Sequence, residues 1–365
     1  MNRKPIIKHL GPWKKKRTIV ISDIHGNLDA YLKLLDECDY QEGEDRLLLL
    51  GDLIEKGPRN LETLRTIIRQ SKQGEVHALM GNCDFTIKNA FLSYRLDFLK
   101  QILMIRKNSI LHEMASAIGI EFHDTTDMEK FCNILRQNYY EELAFCNDLP
   151  HILESDAMIF THAGIQSEEN FGDDFRTPMT TPLFLDSAPK FNKTVVCGHM
   201  PVTEYQRHIA HFDPLFSPEK NIYCIDGGNI VKKAGQLNAL IFQDNYVEIK
   251  RCDLLETAIV KEEVPYHTQI PFFITWNHGQ VDLLKKEKQE SYVYSPYINR
   301  SFWVDNSFLQ IRHGQLFATD YTNYQIPLRV NDKVKIVHQY QDRVQIKKDG
   351  VLGWCYQRQL KKHSI

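Results

Sequence analysis

Thr18-Ile19-Val20-Ile21-Ser22 runs directly into Asp23-Ile24-His25-Gly26-Asn27. A short apolar run rich in Val, Ile and Leu reads as a buried strand. Just past its end stand a carboxylate and an imidazole. The same grammar recurs four times. Leu47-Leu48-Leu49-Leu50 leads into Gly51-Asp52, and Val76-His77-Ala78-Leu79-Met80 into Gly81-Asn82. Ala157-Met158-Ile159-Phe160-Thr161 leads into His162-Ala163-Gly164, and Thr194-Val195-Val196-Cys197 into Gly198-His199. Groups that leave the carboxyl ends of neighbouring strands converge in the crevice where α/β sheets bind ligands. Asp23, His25, Asp52, Asn82, His162 and His199 offer mixed oxygen and imidazole chemistry, which suits Mn, Fe or Zn better than Ca or Mg. Six donors are too many for one open catalytic ion and about right for two, so the pattern predicts a two-metal hydrolase. A histidine met singly is more often structural than ligating. Position after an apolar run sets His25, His162 and His199 apart from His77, which lies inside a run, and from His208 and His211, which follow none.

Outward from these loops the periodicity alternates strand and helix, which predicts α/β layers. Leu28, Tyr31, Leu32 and Leu35 share one helical face. After Gly57-Pro58, Asn60 is placed to cap a helix whose Leu61, Leu64, Ile67 and Ile68 face inward. From about 85 to 147 the pattern is helical throughout, with Phe91, Tyr94, Phe98, Leu99, Ile102, Leu103 and Ile110 on one face. A helical insertion between the third and fourth ligand loops is expected to lie over the site as a cap, or else to pack on the sheet edge. Past about 255 the helical period fades. Residues 256–300 read as a connector with a possible hairpin, its Lys285-Lys286-Glu287-Lys288-Gln289-Glu290-Ser291 run solvated. Residues 301–365 alternate like short strands, and Asp349-Gly350 is a strong hairpin turn signal.

Composition bounds the rest. The chain has 365 residues, 42% of them hydrophobic, enough for a sizeable core and a soft argument for two domains. A net charge of −2 argues against a field for nucleic acid or an anionic membrane. The one basic run, Lys14-Lys15-Lys16-Arg17, reads as a solvated lead-in to the first strand. Eight cysteines show neither a C-x-x-C pair nor a disulfide framework, and several lie in apolar segments as buried thiols do. Met1-Asn2-Arg3-Lys4 is followed by no apolar signal segment, and no apolar run nears about 18 residues. A reduced, cytoplasmic protein is the expectation.

Asp23-x-His25-Gly26, Gly51-Asp52, Gly81-Asn82, His162-x-Gly164 and Gly198-His199, in this order, resemble the calcineurin-like metallophosphoesterases. Gly51-Asp52-Leu53-Ile54-Glu55-Lys56-Gly57-Pro58 is similar to the block of the phosphoprotein phosphatase branch, which includes bacterial protein phosphatases and symmetric diadenosine tetraphosphate hydrolases. Ile225-Asp226-Gly227-Gly228 and Gly235-Gln236-Leu237-Asn238-Ala239-Leu240 resemble the end of those enzymes, so the likeness covers roughly 17–250. It implies a catalytic domain over 1–255, a sandwich of two central β-sheets flanked by helices, with the helical cap at about 85–147. It implies two divalent ions, Mn above Fe or Zn for activity, with Asp52 reaching both. Asp23 and His25 go to the first, and Asn82, His162 and His199 to the second. The nucleophile is then a metal-bound hydroxide. The tail over 301–365 resembles a small all-β SH3-like barrel. Tyr356 stands where peptide-binding members have their groove proline, yet a protein partner is a possible role.

Three departures from the phosphoprotein phosphatase pattern matter. Glu55-Lys56 replaces Asp-Arg, and Lys, a point charge, cannot grip phosphate bidentately. Anchoring then falls to Lys56, to Arg59, and to Arg176, the one arginine between His162 and His199. Cys83-Asp84 follows Asn82 where the branch has a leaving-group-protonating His, and a thiol of pKa about 8.5 is a poor replacement. The implied function is a dinuclear-metal phosphoesterase acting on a phosphorylated protein or a nucleotide, foremost a Ser/Thr phosphatase-like phosphomonoesterase. The alternatives are a dinucleoside polyphosphate hydrolase, a phosphodiesterase, or a non-catalytic metal-binding scaffold.

Overall fold

The computed structural model describes residues 3–13, 16–244, 246–267 and 269–361, so Lys14 and Lys15 of the basic run lie outside the described residues. The chain divides into two compact units, the first comprising Met1–Pro201, Asp213–Val231 and Gly235–Asp253. That unit runs β1 (Ile7–His9), β2 (Thr18–Ile21), α1 (Leu28–Glu37), β3 (Arg46–Leu49), α2 (Asn60–Gln73) and β4 (Glu75–Ala78). The insertion follows as α3 (Phe85–Phe91), α4 (Leu96–Ile105), α5 (Ile110–Ala117), α6 (Met128–Asn138) and α7 (Tyr140–Asn147). Then come β5 (Ile152–Glu154), β6 (Met158–Thr161), α8 (Arg176–Thr180), α9 (Phe184–Ser187), β7 (Thr194–Cys197), β8 (Leu215–Ser217), β9 (Ile222–Cys224), β10 (Leu237–Gln243) and β11 (Tyr246–Cys252).

Two sheets result, one ordered β11-β10-β2-β3-β4 and the other β1-β5-β6-β7-β9-β8. Strands buried on both faces explain the unbroken apolar runs. Side chains alternate across a strand, so Val20, Leu48 and Leu50 join Leu153, Phe160 and Val196 in the core between the sheets. Ile19, Ile21, Leu47 and Leu49 point the other way, into the cluster with Leu34, Leu64 and Ile67 of α1 and α2. Truncating Phe160, which is fully buried there, is a loss of about 3–5 kcal/mol. The parallel pairs β2–β3, β3–β4 and β6–β7 aim their carboxyl ends toward the same five loops that carry the candidate ligands.

The start of α2 departs from expectation. Asn60 does not cap the helix; its side chain accepts the Glu55 N–H at 2.7 Å and donates to Gly57 O at 2.9 Å. The free N–H groups of Asn60 and Leu61 are instead taken by the Glu113 carboxylate of α5, at 3.0 and 2.7 Å. A carboxylate there satisfies orphan donors and complements the helix dipole. The insertion thus supports the loop that follows Asp52. No described helix is long and apolar enough to cross a membrane, and all eight cysteines are free and buried.

The second unit comprises Val202–Phe212, Lys232–Ala234 and Leu254–Ile365. Its strands are β12 (Thr257–Ile259), β13 (Phe273–Ile274), β14 (Asp282–Lys286), β15 (Glu290–Ser295), β16 (Arg300–Asp305), β17 (Leu309–Arg312), β18 (Gln315–Ala318), β19 (Tyr321–Thr322), β20 (Lys333–Tyr340), β21 (Arg343–Lys348) and β22 (Val351–Tyr356). It is all-β. The charged run expected as a connector is the β14–β15 hairpin, and a boundary at 301 falls inside β16. Every residue of β14 is exposed, so a charge-rich edge strand mimicked a solvated linker in the sequence. Asp349-Gly350 forms the expected two-residue turn: Lys348 pairs with Val351 and both turn residues have positive φ, 49° and 78°.

Two stretches lent by the earlier sequence complete this unit. Ala210, Phe212 and Ala234 share a core with Phe273 and Leu352. The Phe212 N–H donates to Gly350 O, and Leu352 N–H to Ala210 O, both at 2.9 Å. Shortening the chain to end at Asp253 is therefore expected to strip Phe212 of its neighbours, lower the melting temperature and open 202–212 to limited proteolysis. A shortened chain with the parental melt and digestion pattern would show the lent stretches to be self-supporting.

Candidate metal centre

Left-handed backbone at non-glycine residues is costly and gathers where function requires it. Asp23, His25, Asp52 and His199 have φ of 56°, 51°, 48° and 67°, and Glu55 and Lys56 follow at 76° and 74°. The turns at Asp23, His25, Asp52 and His199 stand within four residues of the ends of β2, β3 and β7. Asp52 lies centrally, with Oδ2 3.7 Å from His25 Nε2 and Oδ1 3.5 Å from His162 Nε2. His25 Nε2 is 3.9 Å from Asp23 Oδ1, and His162 Nε2 is 3.1 Å from Asn82 Oδ1. The His199 ring centroid is 5.0 Å from that of His162, and its backbone N–H donates to Asp23 Oδ2 at 3.0 Å. All six residues read from the strand ends meet in one place.

Supporting contacts orient them. His162 Nδ1 meets Leu50 O at 2.8 Å, which turns Nε2 inward, the arrangement that fixes a ligating imidazole. Ser22 Oγ donates to Asp23 Oδ2. Asn229 Nδ2 bonds Asp23 O and Ile24 O at 3.2 and 2.8 Å, and its Oδ1 accepts from Asn27. Sequence reasoning missed Asn229, although it stands one residue after the Asp226-Gly227-Gly228 stretch. Two glycines are required by close approach: a Cβ on Gly81 would lie 2.2 Å from Asp52 N and Oδ1, and one on Gly198 2.3 Å from Asp23 Oδ2. Gly81→Ala is expected to displace Asp52 and reduce Mn²⁺ affinity and turnover at least about tenfold, a shift of roughly 1.4 kcal/mol. Unchanged Mn²⁺ binding by calorimetry would contradict this.

The electrostatics call for positive charge. Burial, then the neighbouring Asp52, pushes Asp23 up to about 8. Burial also acts to raise Asp52, but His162, His25 and Lys56 outweigh it and hold that carboxyl low. Burial and Lys56 push His25 down to about 3; burial and His162 push His199 down to about 4. Those imidazoles are neutral near pH 7, with lone pairs free to ligate. Asp23, Asp52, Asp84 and Asp226 are all at most 2% exposed. Such a set, with imidazole and amide donors beside it, fits two divalent cations.

The remaining predicted residues fall in different places. Lys56 Nζ is 3.4 Å from His25 Nε2, at the cluster. Arg59 is not; its guanidinium is held by Asp29 and Glu62 at the surface. Asp84 is a positioning residue, accepting the N–H groups of Leu53 at 2.9 Å, Ile54 at 3.3 Å and Gly81 at 2.9 Å. Burial and Asp52 push it up to about 7. Glu55 is fully buried and accepts from Ser109 Oγ, the Ile110 N–H and Arg106 Nη1. Cys83 is fully buried too; its N–H donates to Asp52 Oδ1 at 2.8 Å, and burial, then Asp52, raises its thiol well above the ordinary value. A ligating atom of Cys83 lies within 4.8 Å of those of His25 and Asp52. Arg176 is exposed, across a small cavity from Asn82. Arg106, at the end of α4, is a cation that sequence reasoning overlooked.

The family model for calcineurin-like phosphoesterases matches residues 16–220. The chain belongs to that family and is a metal-dependent phosphoesterase. It is 25% identical over 207 residues to the asymmetrical bis(5'-nucleosyl)-tetraphosphatase PrpE of Halalkalibacterium halodurans, covering 50% of this chain and 78% of that protein. It is 28% identical over 149 residues to the symmetrical bis(5'-nucleosyl)-tetraphosphatase of Vibrio campbellii, covering 40% of this chain and 44% of that one. The chain thus spans less than half the length of the Vibrio enzyme. A protein serine/threonine phosphatase structure from Saccharomyces cerevisiae superposes with a TM-score of 0.40 at 11% identity, covering 69% of this chain and 85% of that one.

Proposed function

We propose that the chain hydrolyses phosphoanhydrides and activated phosphate esters, with dinucleoside polyphosphates as the substrate class favoured over phosphoserine or phosphothreonine. Cys83 carries this reading. A buried thiol whose pKa is raised by burial first, then by Asp52, keeps its proton and donates it poorly. The nearby acids offer no substitute, since Glu55 is committed to Ser109, Ile110 and Arg106, and Asp84 to three backbone N–H groups. A leaving group that is itself acidic removes the need. The two curated relatives, named as tetraphosphatases, support the same choice.

Asp23, His25 and Asp52 would hold one divalent ion and Asp52, Asn82, His162 and His199 the other, and such a pair supplies Lewis acidity and water activation. The protein's own part is placement. Asp52 is fixed by the Cys83 N–H, His162 by Leu50 O, and Lys56 presents a cation beside them. The test is turnover with Mn²⁺ of p-nitrophenyl phosphate, a dinucleoside polyphosphate and phosphoserine. The aryl ester and the anhydride are expected to be cleaved, phosphoserine far more slowly, and all activity to disappear with chelator. Comparable rates on phosphoserine would overturn the substrate preference in favour of a phosphomonoesterase. Activity that survives exhaustive metal removal would sink the mechanism.

A further inference from the structure

A cavity of about 280 Å³ opens beside the metal cluster, with Asn82 in its wall. The rest of that wall is supplied largely by the insertion and α8, and it divides by chemistry. Phe98 and Tyr94 present aromatic surface, while Arg95, Arg106 and Arg176 present guanidinium groups. Phe98 lies 41% exposed although its helical spacing reads as a core position. The Arg95 guanidinium sits 4.6 Å over the Phe98 ring. Among the described residues, neither the Arg95 nor the Arg176 side chain has a hydrogen-bond or ion-pair partner. Arg106 is partly engaged, its Nη1 3.3 Å from both Glu55 Oε2 and Thr86 Oγ1. An exposed Phe98 ring beside the guanidinium groups of Arg95 and Arg176 offers what a planar ring joined to phosphates requires, by stacking and by charge-assisted hydrogen bonds.

Resting on the phosphoanhydride reading above, we infer that this cavity takes one nucleoside unit of the substrate, its base against Phe98 and Tyr94. Arg95 and Arg176 then bind oxygens of the adjoining phosphates, and the chain of phosphates continues past Asn82 to the cluster. Ligand sites commonly enclose about 300–1,000 Å³. The cavity, at about 280 Å³, lies just below that range, so it has room for one nucleoside and leaves the second half of a dinucleotide outside. Three cations suit a polyphosphate better than the single phosphate of a phosphotyrosine side chain, the other ligand that combines an aromatic ring with phosphate.

The test uses the full chain with Mn²⁺ and the variants Phe98→Ala, Phe98→Trp and Arg95→Gln. Phe98→Ala is expected to raise KM for a dinucleoside polyphosphate roughly five- to a hundredfold, the range of one lost stacking contact. Phe98→Trp should restore it, and Arg95→Gln should raise KM again. None of the three should move kcat or KM on p-nitrophenyl phosphate. Equal losses on both substrates, no change on the dinucleotide, or a selective effect on a tyrosine phosphopeptide would each overturn the assignment. Calorimetric binding of a non-hydrolysable nucleoside triphosphate analogue, compared between the parent and Phe98→Ala, judges the cavity separately from catalysis. If the parent turns over nothing but binds the analogue through Phe98, the hydrolase reading fails and the cavity assignment stands; if it turns over p-nitrophenyl phosphate but the analogue binds independently of Phe98, the reverse holds.

Discussion

Asp52→Asn is expected to reduce turnover of p-nitrophenyl phosphate at least about a hundredfold, because one carboxylate is placed to serve both ions of a two-metal clamp. Its oxygens lie 3.7 Å from His25 Nε2 and 3.5 Å from His162 Nε2. The substitution is nearly isosteric. An amide oxygen can still accept the Cys83 N–H, so the turn should survive. Removing the charge also relieves its repulsion with Asp23, part of what pushes Asp23 up to about 8. That gain is outweighed by the lost attraction of His162, His25 and Lys56, so the ion-free variant should melt lower than the parent while still folding, and Mn²⁺ stoichiometry by equilibrium dialysis falls. A variant that binds both ions and keeps more than about a tenth of the activity would remove Asp52 from the bridging position.

Cys83→His should raise the rate on an alkyl phosphate by a larger factor than on an aryl phosphate. A positioned general acid contributes about 10²–10⁴-fold when the leaving oxygen needs a proton, and little when it does not. The variant is expected to recover part of that range, since fitting an imidazole into a fully buried site costs about 1–3 kcal/mol of overpacking. The structure alters how the new ring would be held. Asp84, the neighbouring carboxylate, already accepts from Leu53, Ile54 and Gly81. Burial, Lys56 and Arg106 would favour the neutral imidazole there, and the Asp52 carboxylate the charged one. Measuring both rates against leaving-group pKa decides the matter. A flat dependence in the parent, with no selective gain in the variant, makes Cys83 a bystander.

The gathering of Asp23, His25, Asp52, Asn82, His162 and His199 was legible because each rests on a local pattern. A four- or five-residue apolar run must be buried, a buried run in an α/β protein is a strand, and a strand's end is a fixed distance from its neighbour's end. The Asp349-Gly350 turn was legible for the same kind of reason, since few residues tolerate positive φ in succession. Arg59 shows the limit. It stands three residues from Lys56, within the family-like block, yet Asp29 and Glu62 hold its guanidinium at the surface.

Other features had no local signature. Glu113 takes the N–H groups at the start of α2 from 52 and 53 residues away. Arg106 reaches Glu55 across 51 residues, and Asn229 reaches Asp23 across 206. Val202–Phe212 and Lys232–Ala234 lie within the likeness to phosphoesterases yet belong by contact to the all-β unit. Each of these polar or short segments is compatible with a solvated loop, so periodicity is silent about it. Alternation and spacing report only whether a face is buried. Which distant groups meet on that face depends on sheet order, and that order is settled by long-range pairing such as β10 beside β2, which no window of neighbouring residues encodes.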